Sequence, residues 1–264
     1  MPSPIHSPHL NLFVASDDTR RYLPRPATEQ ALAALEQRIG VERADTTLLV
    51  GPPGIGKSML LRVLVQRLRR TLRTVTLSAG DIDAPTLCAL VLAQLRMEAA
   101  TDPEQAVLLL AADWNAKRSA LVIAIDAAER LPLATAGRLG ALAMTAGGGL
   151  RIVAAAPEPA TELARALGCQ HEAVALRTPM TLRETQAHLQ AALAAGHAPP
   201  DVRELFTGIA VANIFRDSQG IPSDVNALAA ERLAVAVADG AVAEPGRAAW
   251  GHPVASRRRA IVSL

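Results

Sequence analysis

The run Gly51-Pro52-Pro53-Gly54-Ile55-Gly56-Lys57-Ser58 constrains this chain more than any other stretch. It fits the spacing G-x-x-x-x-G-K-[ST] at every fixed position. Residues 46–50 before it read as a short buried strand, and residues 59–65 after it begin a helical apolar pattern. Strand, loop and helix in that order are the context in which this spacing cradles phosphate. Glycines let the backbone wrap closely around an anion with no Cβ in the way. Successive N–H groups of Gly54, Ile55, Gly56, Lys57, Ser58 and Met59 are expected to face the anion at the helix N-terminus, where partial positive charge gathers. Lys57 then reaches the β- and γ-phosphates, and the Ser58 hydroxyl ligates Mg²⁺. Gly51, Pro52 and Pro53 complete the loop; the prolines have no N–H and shape its entry.

The remaining residues indicate what is built around that loop. Half of the 264 residues are hydrophobic, yet only 2% are aromatic, so the core must come from Ala, Leu, Val and Ile. That palette suits helices packed on a parallel sheet, as one large domain or two smaller ones. A formal charge of +2 does not by itself argue for nucleic acid. Arg257-Arg258-Arg259 is a local basic cluster, read first as a solvated tail and second as a contact for nucleic acid or acidic lipid. Cys88 and Cys169 are isolated and lack metal-ligand spacing, so a reducing compartment is the default. The first ten residues lack the layout of a signal peptide. No apolar run approaches the ~18 residues of a membrane span. A cytoplasmic protein without a membrane span is the expectation.

Along the chain, residues 1–27 carry five prolines (Pro2, Pro4, Pro8, Pro24 and Pro26) and read as an extended segment packing over a domain. Thr28 is expected to cap a helix with Ala31, Leu32, Leu35 and Ile39 on one face, ended by Gly40. The helix carrying Lys57 is expected to run to about residue 72, with Arg67, Arg69 and Arg70 complementing its dipole. Strands are expected at 74–77, 120–126, 150–155 and 172–176, with helices at 85–95 and 103–117. The unbroken apolarity of 120–125 marks a strand covered on both faces. Strands alternating with helices imply a parallel five-stranded sheet with right-handed crossovers. The last third reads as helices only. Thr181-Leu182-Arg183-Glu184 is a capping box opening a helix to Gly196, a second helix covers 206–218, and Ser223 or Asp224 caps a third to Asp239. The expected domains are therefore an extended segment 1–27, an α/β nucleotide-binding domain 28–178, a small α-helical lid 179–239 and a basic tail 240–264.

Asp126 ends the second apolar strand. A carboxylate there accepts hydrogen bonds from Ser58 and from the waters of Mg²⁺, so the expected metal residues are Ser58 and Asp126. Its plain alternative is the cap of a helix starting Asp126-Ala127-Ala128-Glu129. Hydrolysis also needs a group to orient the attacking water. Many ATPases of this architecture place a Glu directly after the Asp, where this chain has Ala127. Glu129, one helical turn on, is the only catalytic candidate and a weak one.

The phosphate loop, the run Ile-Asp-Ala-Ala-Glu-Arg-Leu-Pro at 125–132 and the last third together resemble ExeA/GspA-type AAA+ ATPases, of the same broad group as the TniB and TnsC transposition ATPases. Leu182-Arg183-Glu184-Thr185 is similar to the family's Leu-x-Glu-Thr, and Leu205-Phe206-Thr207 to its Leu-Phe-Thr. Ser218-Gln219-Gly220-Ile221-Pro222 through Asn226 is similar to its Ser-x-Gly-Ile-Pro-Arg-x-Ile-Asn. The likeness spans roughly residues 10–238 and implies an AAA+ P-loop NTPase fold: a parallel sheet flanked by helices plus the α-helical lid.

Against that family the departures share a pattern. The Asp-Glu-Ala-Gln/His run reads Asp126-Ala127-Ala128-Glu129, and Gly-Gln-Pro-Glu-Leu reads Ala155-Ala156-Pro157-Glu158-Pro159. The resemblance then implies that Ala127 replaces the water-orienting Glu and Ala156 the γ-phosphate sensor. It likewise implies that Ser223 replaces the lid arginine and Gln170-His171-Glu172 the arginine finger. Lys57, Ser58 and Asp126, which act on binding, are kept. The expectation is a chain that binds ATP with Mg²⁺ and hydrolyses it slowly or not at all. It would act as a nucleotide-dependent switch or assembly scaffold, self-associating or holding a protein partner, for a secretion or other envelope-related complex on family analogy. The alternatives are an active ATPase motor and a DNA-associated, transposition-type ATPase. Without an Asn-Lys-x-Asp motif, no guanine preference is marked.

Overall fold

Apolar strands without alternation need cover on both faces, and the fold supplies it. The computed structural model describes residues 12–14, 18–42 and 44–239. Five strands, β1 (Thr46–Val50), β2 (Arg73–Ser78), β3 (Leu121–Asp126), β4 (Leu150–Ala156) and β5 (Val174–Ala175), form one sheet in the order β2-β3-β4-β1-β5. Every pairing is parallel. Between and before them run α1 (Pro26–Glu36), α2 (Lys57–Leu68), α3 (Ala84–Gln94), α4 (Pro103–Ala116), α5 (Leu133–Thr145) and α6 (Thr161–Ala166). Alternate side chains divide the sheet's two faces. Leu48, Val50, Ile123, Ile125, Ile152 and Ala154 pack with α3 to α6, whereas Leu49, Val122, Ala124, Val153 and Ala155 pack with α1 and α2. Cys88 lies fully buried on the first face, and burial pushes its thiol up to about 12, so it serves as a small apolar residue.

After β5 come α7 (Leu182–Ala195), α8 (Pro200–Glu204), α9 (Ile209–Ser218) and α10 (Pro222–Ala238), with no strand among them. They share a third cluster around Leu189, Leu193, Phe206, Val225 and Leu233. Leu12 and Phe13 belong to the same cluster, and the Phe13 and Phe206 rings lie 5.0 Å apart. Residues 12 and 13 are thus pinned onto α7–α10. The Thr181–Glu184 capping box forms as the spacing requires: Thr181 N–H donates to Glu184 Oε2 at 2.7 Å, and Glu184 N–H to Thr181 Oγ1 at 3.2 Å.

Several boundaries differ from the sequence expectation. Thr28 is not the cap of the first helix. Pro26 takes the first helical position, and Thr28 Oγ1 accepts from the N–H of the cap residue Arg25 at 3.1 Å. Gly40 does not end that helix, which passes into a π turn over Gln37–Val41. The Lys57 helix stops at Leu68, and Arg67 bonds Glu29 at 2.9 Å and Glu36 at 3.5 Å, tying α2 to α1 rather than serving the helix dipole alone. The fifth strand keeps two residues of the five expected. The helix expected from 206 begins at Ile209, and α10 is capped at Ile221 with Pro222 first, two residues ahead of Ser223. α5, α6 and α8 had no sequence expectation. The tail 240–264, with its Arg257–Arg259 cluster, and residues 1–11 lie outside the described residues.

Candidate nucleotide-binding site

The loop lies where β1 hands over to α2, at the C-terminal edge of the sheet. Gly56 caps α2 with φ 105°, and Gly54 has φ 74°; both are left-handed conformations that a Cβ would strain. The first turn of α2 holds Lys57, Ser58 and Met59, whose N–H groups have no acceptor within a helix starting there. Ile55 is fully buried, so only its backbone belongs to the loop's inner surface, and its N–H turns to Pro52 O at 3.5 Å. Lys57 Nζ donates to Gly51 O at 2.8 Å and Pro52 O at 3.0 Å. The two prolines thus supply a carbonyl and a bend. Burial pulls the Lys57 ammonium below its ordinary value, opposed by the carboxylates of Glu129, Asp126 and Glu158. A cation partly stripped of water and backed by acids is primed to exchange carbonyls for phosphate oxygens.

Ser58 Oγ donates to Asp126 Oδ1 at 3.0 Å, joining residues from α2 and β3 as the sequence led us to expect. The same oxygen accepts the Ala127 N–H at 3.0 Å. Ala127 sits at φ 53°, ψ 42°, and a short 3₁₀ turn Ala128–Arg130 follows in place of a longer helix. Among the described residues no group of three or more His, Cys, Asp or Glu gathers as a metal site. That donor set fits Mg²⁺, which takes one or two protein oxygens and fills its octahedron with phosphate and water. Ser58 and Asp126 would hold it, and it would neutralise charge on the phosphates. Glu129 is exposed and influences Lys57, whereas Ala127 has no side-chain acid or base.

A cleft of about 440 Å³ extends from Gly54, Lys57 and Ser58 between the early segment, at Tyr22 and Arg25, and the helices α7 and α10. The start of α10 rests on the loop itself: Ser223 N–H donates to Gly54 O at 3.1 Å. In the same cleft His188 Nε2 lies 2.8 Å from Asn226 Oδ1. Burial lowers the His188 imidazole below its ordinary 6.5; the Asn226 bond opposes this, and Arg25 and Arg21 add to the lowering. The unfolded chain therefore takes up a proton before the folded one, so the contribution is complete above about pH 6.5 and is lost as pH falls through the folded value. We expect His188→Gln, which keeps the hydrogen bond without titrating, to lose less thermal stability than the wild type between pH 7 and pH 5. Parallel midpoint curves in that window would contradict this.

The strand order, with β4 between β3 and β1 and a phosphate loop after β1, decides the fold. It is that of an AAA+ P-loop NTPase. A family model described as an AAA domain matches residues 41–163, which span β1 to α6. Among solved structures the chain is similar to Cdc6p from Pyrobaculum aerophilum at 18% identity, covering 87% of this chain and 66% of that one, with a TM-score of 0.59. It is similar to Drosophila ORC bound to DNA at 17% identity, covering 82% and 63%, with a TM-score of 0.56. Domain III of the Thermotoga maritima replication initiation protein DnaA matches at 14% identity, covering 85% and 90%, with a TM-score of 0.54. At these identities the likeness is one of fold, and the chain spans less than two thirds of the ORC chain and about that share of Cdc6p. No curated protein matches it. No helix among the described residues is long and apolar enough to cross a membrane.

Sequence reasoning did not mark several polar groups here, Glu158 and Arg177 among them. Glu158 follows β4 and Arg177 follows β5, and they pair at 2.9 Å. A charged residue just past a strand, at the sheet edge that carries the loop, is the signal that could have found both.

Proposed function

We propose that this chain binds ATP with Mg²⁺ and turns it over slowly, serving as a nucleotide-dependent switch or assembly scaffold of the ExeA/GspA type. One observation carries the reading: Lys57 and the Ser58–Asp126 hydrogen bond are assembled for binding, beside an Ala127 that has no group to orient water. Nucleotide between the loop and α7–α10 would fix the angle of those helices, here taken as the lid, and so the surface offered to a second copy or a protein partner. The secretion-type setting rests on resemblance alone.

The test measures binding and turnover side by side on the whole chain. Saturable, Mg²⁺-dependent ATP binding is expected, with kcat about 10⁻³ s⁻¹ or slower, the range of a P-loop site lacking an arginine finger. Ala127→Glu is expected to raise kcat by ~10-fold or more with little change in KM. Turnover near one per second in the wild type, abolished by Lys57→Ala, would sink the slow-switch reading.

A DNA-associated reading has one specific support, the description of the similar Drosophila ORC structure as bound to DNA. It requires a DNA affinity that falls steeply with salt and is lost when Arg257, Arg258 and Arg259 are removed.

A further inference from the structure

The sheet order β4-β1-β5 sets two charged residues on either side of the phosphate loop. Register aligns Val50, the last residue of β1, with Ala156 of β4 and with Ala175 of β5. Glu158 stands two residues past Ala156 and Arg177 two past Ala175, so both emerge at the level where Gly51 and Pro52 begin the loop. Two strand spacings, about 10 Å, separate β4 from β5. The pair closes that gap: Arg177 Nε donates to Glu158 Oε1 at 2.9 Å and Oε2 at 3.1 Å. The ion pair therefore bridges from β4 to β5 past the end of β1, where the loop begins with Gly51 and Pro52, whose carbonyls hold Lys57. The backbone beneath is tightly held, for Leu176 N–H bonds Val50 O at 2.8 Å.

We propose that Glu158 and Arg177 form a strap across the entrance of the phosphate loop, and that a nucleoside triphosphate opens it by drawing Arg177 from the Glu158 carboxylate onto its terminal phosphate. Arg177 is then a phosphate-binding residue supplied by the chain itself, from a place that no loop motif marks. The exchange is chemically even, one charge-assisted guanidinium–oxyanion contact for another. A diphosphate lacks the outermost group and leaves the strap closed. Both side chains reach solvent, with 67% of Arg177 and 32% of Glu158 exposed, so replacing either removes little packing. Glu158 also faces Lys57 electrostatically, so opening the strap frees a carboxylate beside the cation that meets the phosphates. The inference rests on the nucleotide-binding reading above.

The experiment is calorimetric titration of the whole chain with ADP and with a non-hydrolysable ATP analogue, each with Mg²⁺. Arg177→Ala is expected to weaken the analogue by about 10-fold, the low end for a hydrogen bond to a charged group at an exposed site, and to leave ADP within twofold. Arg177→Lys should recover part of that loss, and Glu158→Gln should tighten the analogue by releasing the guanidinium. Equal weakening of both nucleotides, no change in either, or a Glu158→Gln variant as weak as Arg177→Ala each overturns the strap. If Lys57→Ala abolishes binding while Arg177→Ala changes nothing, the strap alone fails. If the wild type binds neither nucleotide, the nucleotide-binding reading fails and the strap with it.

Discussion

Lys57→Ala is expected to lower the affinity for ATP·Mg²⁺ by about 100-fold, the worth of roughly 3 kcal/mol of charge-assisted hydrogen bonding to phosphate. The magnitude follows from what the ammonium does without nucleotide. It donates to Gly51 O and Pro52 O and is partly desolvated, which pulls its proton affinity down against three nearby carboxylates. Once a phosphate arrives, Lys57 is the side-chain cation of the loop. Removing it leaves a ring of N–H groups that bind anions weakly, with the carboxylates of Glu129 and Asp126 no longer offset by that cation. The fold should survive, because a half-buried cation that costs desolvation is being deleted from a loop edge. The measurement is titration calorimetry beside a thermal melt. Loss of affinity with an unmoved midpoint is the expected pair, and unchanged affinity would remove the loop from the binding site.

The parts of this site legible in the sequence are those encoded by neighbours along the chain. The phosphate loop needs a glycine spacing and a Lys-Ser pair within eight residues, and β3 needs an unbroken apolar run, so both were foreseen with Asp126 at the strand end. The Ser58–Asp126 bond was foreseen too, because the fold class joins those two positions. What escaped is encoded by packing. α5 is rich in Ala and holds Gly137 and Gly140, which look like helix breakers; Gly140 in fact lets the helix approach the backbone of Leu167, where a Cβ would lie 3.1 Å from Cα. β5 keeps only Val174 and Ala175 in register with β1, since the partner strand decides how much of 172–176 pairs. Ser223 was read through the arginine it replaces, yet its own N–H closes onto Gly54 O. The Glu158–Arg177 pair could not be read at all until the strand order put β4 and β5 on opposite sides of β1.

That same strand order makes Gly51 a position where the loop tolerates little change. Gly51→Ala should destabilise the chain by about 2–3 kcal/mol, an overpacking cost with little room for relief. A Cβ there would meet the carbonyl oxygen of Leu176 and come within 3.1 Å of its carbon and 3.3 Å of the Ile55 side chain. None of these yields easily. The Leu176 backbone is tied to Val50 O at 2.8 Å, and Ile55 is fully buried in the core beneath the loop. Relief would have to come from lifting β5 off β1, where the pairing is only two residues long. Lifting β5 moves Arg177 away from Glu158 and shifts Gly51 O, one of the two carbonyls that position Lys57. A methyl group at Gly51 therefore acts on stability and on binding together. For a chain of this size the expected fall in thermal midpoint is about 5–10 °C. Weaker binding of ADP and of the ATP analogue alike should accompany it, unlike the triphosphate-selective loss expected of Arg177→Ala. A Gly51→Ala variant with wild-type stability would mean that β5 moves freely, and the strap anchored on it could not hold its geometry.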